Sequence, residues 1–332
     1  MRTKLIGSAA AAAILLAATP ALAQNKPAAA DTAQSPDPSA LSVGALRTGA
    51  SPDLTIVGID ISVAGNSVVY SYYLQNTGTT ELGLAATIAL PELQASADGS
   101  ETWVLSSNDA ENPVGLSITA AGAPVTTTAQ VRAEALDLDR TAAIKAEHLP
   151  LIPFGPAIDK ALAALSPDVV RRLAAMGIVS PHDPNDPNEP VAAEWTLKAI
   201  HAWRLTLPPG KTTPVAVKFT PVVGRYKLAK GDQDSLDDMK DDVCLKLPAL
   251  TALQTRLKNG GAWQVTELLV ASDAPNGWND SPNPTLSVQK PEPGSIVAFC
   301  GMDEKSAGKP VVLGTAADDS QDIRIVIFAP AK

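Results

Sequence analysis

Apolar and polar side chains alternate along the first third of the chain. Val57, Ile59, Ile61 and Val63 interleave with Gly58, Asp60 and Ser62, a period of two that predicts a half-buried β-strand. Ala64-Gly65-Asn66 supplies turn chemistry, and Val68, Tyr70, Tyr72 and Leu74 then alternate with Val69, Ser71, Tyr73 and Gln75 as a second strand. Asn76-Thr77-Gly78 turns the chain again. Leu82, Leu84 and Ile88 continue the series to Pro91, with shorter strand candidates at 103–105, 116–119 and 125–131. Strands this short and regular, separated by Gly/Asn turns, predict a sandwich.

The period changes over residues 136–177. Ser166 can cap a helix that has Pro167 at its first position and Asp168 at the positive end of its dipole. Val169, Val170, Leu173 and Met176 follow at helical spacing, and Gly177 fits the stop. Ile158, Leu162 and Leu165 predict a shorter helix before it. We therefore expect a helical insertion, closed by the proline-punctuated loop 182–190. The period of two returns with Trp195, Leu197, Ala199, His201, Trp203, Leu205 and Leu207 on one face. Pro208-Pro209-Gly210-Lys211 then turns the chain into Val215, Val217 and Phe219, a hairpin expected to complete the first sheet system. The acidic stretch 231–242 marks a domain boundary. A helix over 248–258 and strands over 263–270, 285–288, 295–300 and 323–328 make up the rest. The expected fold is mainly β, with two β-sandwich-like domains over 53–228 and 229–332. The first carries the helical insertion at about 136–190, and the second a short helix.

The N-terminus does not fit this pattern. Arg2 and Lys4 precede an apolar run over 5–18, and Ala21-Leu22-Ala23 is a small-x-small cleavage site, so residues 1–23 read as an export signal. Residues 24–52, rich in Ala, Pro and Ser, read as a flexible leader. Removing the signal leaves 24 basic against 35 acidic side chains, a net charge of −11. That balance argues against nucleic acid and against anionic membrane surfaces. No later apolar run is long enough to span a bilayer. A periplasmic or secreted protein is expected, and in such an oxidising compartment Cys244 and Cys300 are expected to pair. They would close a loop of about 57 residues, for which chain entropy suggests roughly 4 kcal/mol. The competing reading is two inert buried thiols.

Several segments resemble the exported bacterial family known as domain of unknown function 4424. They are the strands over 53–63 and 69–78 with ALPEL at 89–93, the strand of Trp203 with LPPGK at 207–211 and PVVG at 221–224, and Cys244 with NGW at 276–278 and FCG at 299–301. The resemblance implies an exported, β-rich, Cys-paired architecture and brings no catalytic residues.

Candidate chemistry is sparse. There is no Gly-x-Ser-x-Gly elbow, and only His148, His182 and His201 could act as imidazole bases. His201 sits beside Trp203 on the apolar face, which suits a satisfied core histidine more than a base lining a cleft. Gly210-Lys211-Thr212 ends like a phosphate-binding loop, but the earlier glycine that such a loop needs is Leu205. Asp183, Asp186 and Glu189 form one candidate calcium cluster, and Asp232 and Asp234 belong to another. Neither has EF-hand spacing. No zinc set appears, and no cofactor is expected. Trp278, in a polar loop, is the tryptophan best placed to touch a ligand. The expected function is an exported, non-catalytic binding or structural module of the cell envelope, with an envelope protein or a glycan as partner. The alternative is a periplasmic hydrolase using His201 or an acidic cluster.

Overall fold

The computed structural model describes residues 41–94, 105–180, 190–271, 282–315 and 322–331. The export signal, Trp278, and the candidate calcium ligands Asp183, Asp186 and Glu189 lie outside the described residues, as does the side chain of Asp234.

The leader expected over 24–52 is ordered at its C-terminal end. Val43 and Leu46 are buried, and β1 (Arg47–Thr48) joins a sheet. Apolar side chains in this segment find a slot between the sheets, which outweighs its Ala/Pro-rich character. β2 (Leu54–Ala64) and β3 (Ser67–Asn76) form the expected hairpin, with Gly65 at φ +58° in the two-residue turn. Val57 does not share the inner face. A β-bulge between Ile56 and Gly58 leaves it unopposed and 46% exposed, so Leu54 and Ile56 turn inward in its place. β4 (Leu82–Ala89), β5 (Leu93–Gln94), β6 (Ser117–Ala120), β7 (Ala123–Pro124), β8 (Thr128–Ala135) and β9 (Leu138–Asp139) follow.

The insertion contains α1 (Thr141–Ala146), α2 (Pro156–Ala163) and α3 (Pro167–Ala175). The hydroxyl of Ser166 accepts from Val169 N, Pro167 opens α3, and Gly177 ends it at φ +70°. Ile158, Leu162, Val170 and Leu173 pack with Trp195 into a small core of their own. Trp195 Nε1 donates to the Leu151 carbonyl at 2.7 Å.

Next come β10 (Thr196–Leu207), β11 (Thr212–Phe219), β12 (Gly224–Leu228), α4 (Gln233–Met239), α5 (Leu247–Lys258), β13 (Trp263–Ala271), β14 (Thr285–Gln289), β15 (Ile296–Ala298), β16 (Val311–Thr315) and β17 (Asp322–Pro330). The stretch read as an acidic boundary thus holds α4, whose Leu236 and Met239 are buried. The described chain is mainly β, in three sheets. One runs β1-β4-β10-β8-β9, with β5 also on β10, and the second runs β16-β14-β2-β3-β11-β6-β7. Their inner faces share one apolar core and make a sandwich. β14 lies parallel to β2, with Thr285 opposite Asp60, so residues from the last quarter of the chain complete the sheet begun by the first.

β10 and β11 do not pair with each other, as the hairpin reading requires, but belong to opposite sheets. Pro208-Pro209 cannot donate ladder hydrogen bonds, so the segment carries the chain across the sandwich instead. Fully buried Asn76 holds this corner. Its Nδ2 donates to the carbonyls of Leu207 and Thr80, and its Oδ1 accepts from Gly78 N.

The third sheet runs β12-β13-β17-β15. On one face, Trp263, Val265, Val326 and Phe328 pack under α4 and α5. On the other, Leu268, Val270, Ile325 and Ile327 join the sandwich core. The Tyr70 hydroxyl ties the layers together, donating to the Val43 carbonyl and accepting from Ala271 N at 2.9 Å. Among the described residues, no helix is long and apolar enough to cross a membrane.

Candidate functional site

His201 points inward from β10. Its Nε2 donates to the Glu111 carbonyl at 2.8 Å, which fixes the tautomer and leaves Nδ1 to accept from the Thr127 hydroxyl, also at 2.8 Å. Both nitrogens are occupied, and among the described residues no carboxylate is hydrogen-bonded to the ring. Trp203, two residues along, is buried, and among the described residues its indole N–H has no hydrogen-bond partner. His148 is exposed at a positive φ of 56° after α1. The two sequence candidates for an imidazole base that the structure describes are therefore far apart in setting.

Asp232 Oδ2 accepts from Ala229 N at 2.7 Å and so closes the turn into α4. Asp237 reaches Lys240 at 3.8 Å. Among the described residues, no three His, Cys, Asp or Glu side chains converge as a metal would require.

Cys244 and Cys300 are disulfide-bonded, with Cα atoms 4.9 Å apart. The bond ties the segment after α4 to the end of β15. Beside it, Arg324 on β17 pairs with Glu267 Oε1 at 2.5 Å and Asp242 Oδ2 at 2.7 Å. Burial, then the charge of Glu267, holds the neighbouring Tyr226 hydroxyl above the ordinary tyrosine range. Arg324, Glu267, Asp242 and Tyr226 thus interact with one another.

A space that can receive a ligand lies elsewhere among the described residues, at the junction of the sandwich and the third sheet. A cleft of about 320 Å3 opens there, in the size range of small-molecule sites. Val63 at the end of β2, Gly65 and Asn66 of the β2–β3 turn, and Leu105 and Ser106 line it. Thr220, Pro221 and Val223 line the passage from β11 to β12. The floor is a row across the third sheet, where Arg225, Thr266 and Ile327 stand in register on β12, β13 and β17, with Leu268 next to them. Arg225 is exposed, and among the described residues its guanidinium has no hydrogen-bond or ion-pair partner. Lys227, two residues along the same face of β12, is exposed and unpaired as well.

The structure thus does not bring His201 or Asp232 to the cleft. Sequence reasoning did not select Arg225 or Thr266, because the walls come from segments up to some 260 positions apart and each is ordinary alone. The one local signal was PVVG at 221–224, two of whose residues line the passage.

No curated protein is significantly similar to the chain. Among solved structures, it is similar to a protein from Legionella pneumophila subsp. pneumophila, provisionally described as a nutrient binding protein. The identity is 12% and the TM-score 0.36, over 87% of this chain and 71% of that one. A family model described as Domain of unknown function (DUF4424) matches residues 37–320. With the match spanning both the sandwich and the third sheet, the chain belongs to the DUF4424 family.

Proposed function

We propose that the protein is an exported, non-catalytic binding module of the bacterial envelope, and that it holds a small ligand in the cleft between sandwich and third sheet. The observation that carries this reading is the cleft itself: a largely aliphatic hollow at a junction of layers, with Arg225 at its edge unpaired among the described residues. The signal at 1–23 and the Cys244–Cys300 bond support export. His201, spent on two hydrogen bonds inside the sandwich, supports binding over hydrolysis.

The test is to produce the full-length chain in a bacterial host, recover the protein from the envelope fraction, and examine it by native mass spectrometry. A small molecule should copurify with the wild-type chain. Thr266→Phe, which fills the cleft from a half-buried position, should lose it while keeping the wild-type far-ultraviolet spectrum. A bare wild-type protein, or a mass that Thr266→Phe retains, would refute the proposal.

A further inference from the structure

Building on the cleft as the binding site, we infer that its ligand is a small amphipathic anion, with an apolar tail lying against Leu268 and Ile327 and an acid group meeting Arg225. The chain carries an excess of acidic groups, 35 against 26, so carboxylates are plentiful on its surface. Even so, Arg225 and Lys227 stand two residues apart on one strand face with no acidic partner among the described residues. Two unpaired cations at the edge of an apolar hollow form a local positive patch that concentrates anions. A guanidinium also offers a planar fork that matches a carboxylate with two parallel hydrogen bonds.

The rest of the lining narrows the ligand further. Among the described lining residues none is aromatic, which leaves a sugar ring nothing to stack on, and none is acidic, which leaves a cation nothing to pair with. Val63, Val223, Leu268 and Ile327 present aliphatic walls instead. At about 30 Å3 for each water-sized heavy atom, a cleft of about 320 Å3 holds on the order of ten heavy atoms. An eight-carbon monocarboxylate has about that many.

The probes are octanoate, 1-octanol and octylamine, titrated into the disulfide-bonded chain carrying labelled Ile, Leu and Val methyl groups. The methyl resonances of Ile327, Leu268 and Val63 report occupancy. Octanoate should shift them saturably and more tightly than either of the other compounds. Arg225→Gln, an exposed substitution whose folding the same spectrum verifies, should weaken octanoate about three- to tenfold and leave 1-octanol unchanged. If 1-octanol or octylamine binds as tightly as octanoate, or Arg225→Gln leaves octanoate unaffected, the anionic inference is overturned while the cleft remains a binding site. If none of the three moves the cleft methyls, the binding reading beneath it fails too.

Discussion

Asn76 is the polar side chain on which the crossing between the two sandwich sheets depends. The bond from its Nδ2 to the Leu207 carbonyl is buried at 2.9 Å, where no water can replace it. The bonds to the Thr80 carbonyl and from Gly78 N, at 2.8 and 2.9 Å, are partly exposed. Asn76→Ala leaves the Leu207 acceptor unsatisfied at a cost of about 1–3 kcal/mol, and the other two bonds add about 0.5–1 kcal/mol each. The expected loss is therefore about 2–5 kcal/mol. It should be read from urea unfolding followed by tryptophan fluorescence, with an unchanged m-value to show that the unfolded state is not altered. Asn76→Asp has the same shape but points an acceptor at two carbonyl oxygens. Its carboxyl must keep a proton to fit, so this variant should recover stability as pH falls toward 4. Thr77→Ala removes only an exposed bond to the Asp53 carbonyl and should cost under about 0.5 kcal/mol. An Asn76→Ala variant within about 0.5 kcal/mol of wild type, or a Thr77→Ala variant equally damaged, would refute the corner argument.

The tyrosines make a pH prediction. Burial raises the hydroxyls of Tyr70, Tyr72 and Tyr226, and a hydrogen bond to Asp60 raises that of Tyr73, so all four tyrosines lie above their ordinary value. A raised folded-state pKa stabilises the fold fully below the unfolded value near 10, and that stability is lost as pH climbs toward the folded value. Each buried tyrosine should remove up to about 1.4 kcal/mol per pH unit above pH ~10. The folded protein should show no tyrosinate absorbance step near pH 10, and a full one there would contradict this. The double variant Cys244→Ser, Cys300→Ser should lose up to about 4 kcal/mol. Hydrogen exchange should accelerate most in α4, α5 and β15, and a total loss under about 1 kcal/mol would show that the packing of the third sheet suffices without the bond.

What the chain reveals before folding is mostly local. β3 was legible because Val68, Tyr70, Tyr72 and Leu74 obey a strict period and nothing interrupts it. α3 was legible because Ser166, Pro167 and Gly177 each act within one turn of their neighbours. The cysteine pair followed from the compartment. Val57 failed because a bulge is a relation between two strands, and only the partner, Tyr73, reveals it. β10 and β11 failed because a tight Pro-Pro-Gly turn suits a hairpin and a crossing equally well, and the difference rests on Asn76, more than 130 positions away. The N-terminal residues 41–48 look like linker until the hydroxyls of Tyr70 and Tyr72 meet the backbone at Val43 and Leu46. The cleft was invisible for the same reason. Its cation and its apolar floor belong to different strands, and only the pairing of β12, β13 and β17 aligns them.

The parallel pairing of β14 with β2 also sets a clock. A ribosome delivers the chain N-terminus first at about 5–20 residues per second, and Thr285 follows its partner Asp60 by 225 positions. For roughly 10–45 s of synthesis, β2 can pair with β3 on one side only, while its other edge stays open to any passing strand. Whatever escorts the nascent chain must shield that edge until the final quarter arrives. A truncation that ends before residue 285 should therefore be more prone to self-association than to simple unfolding.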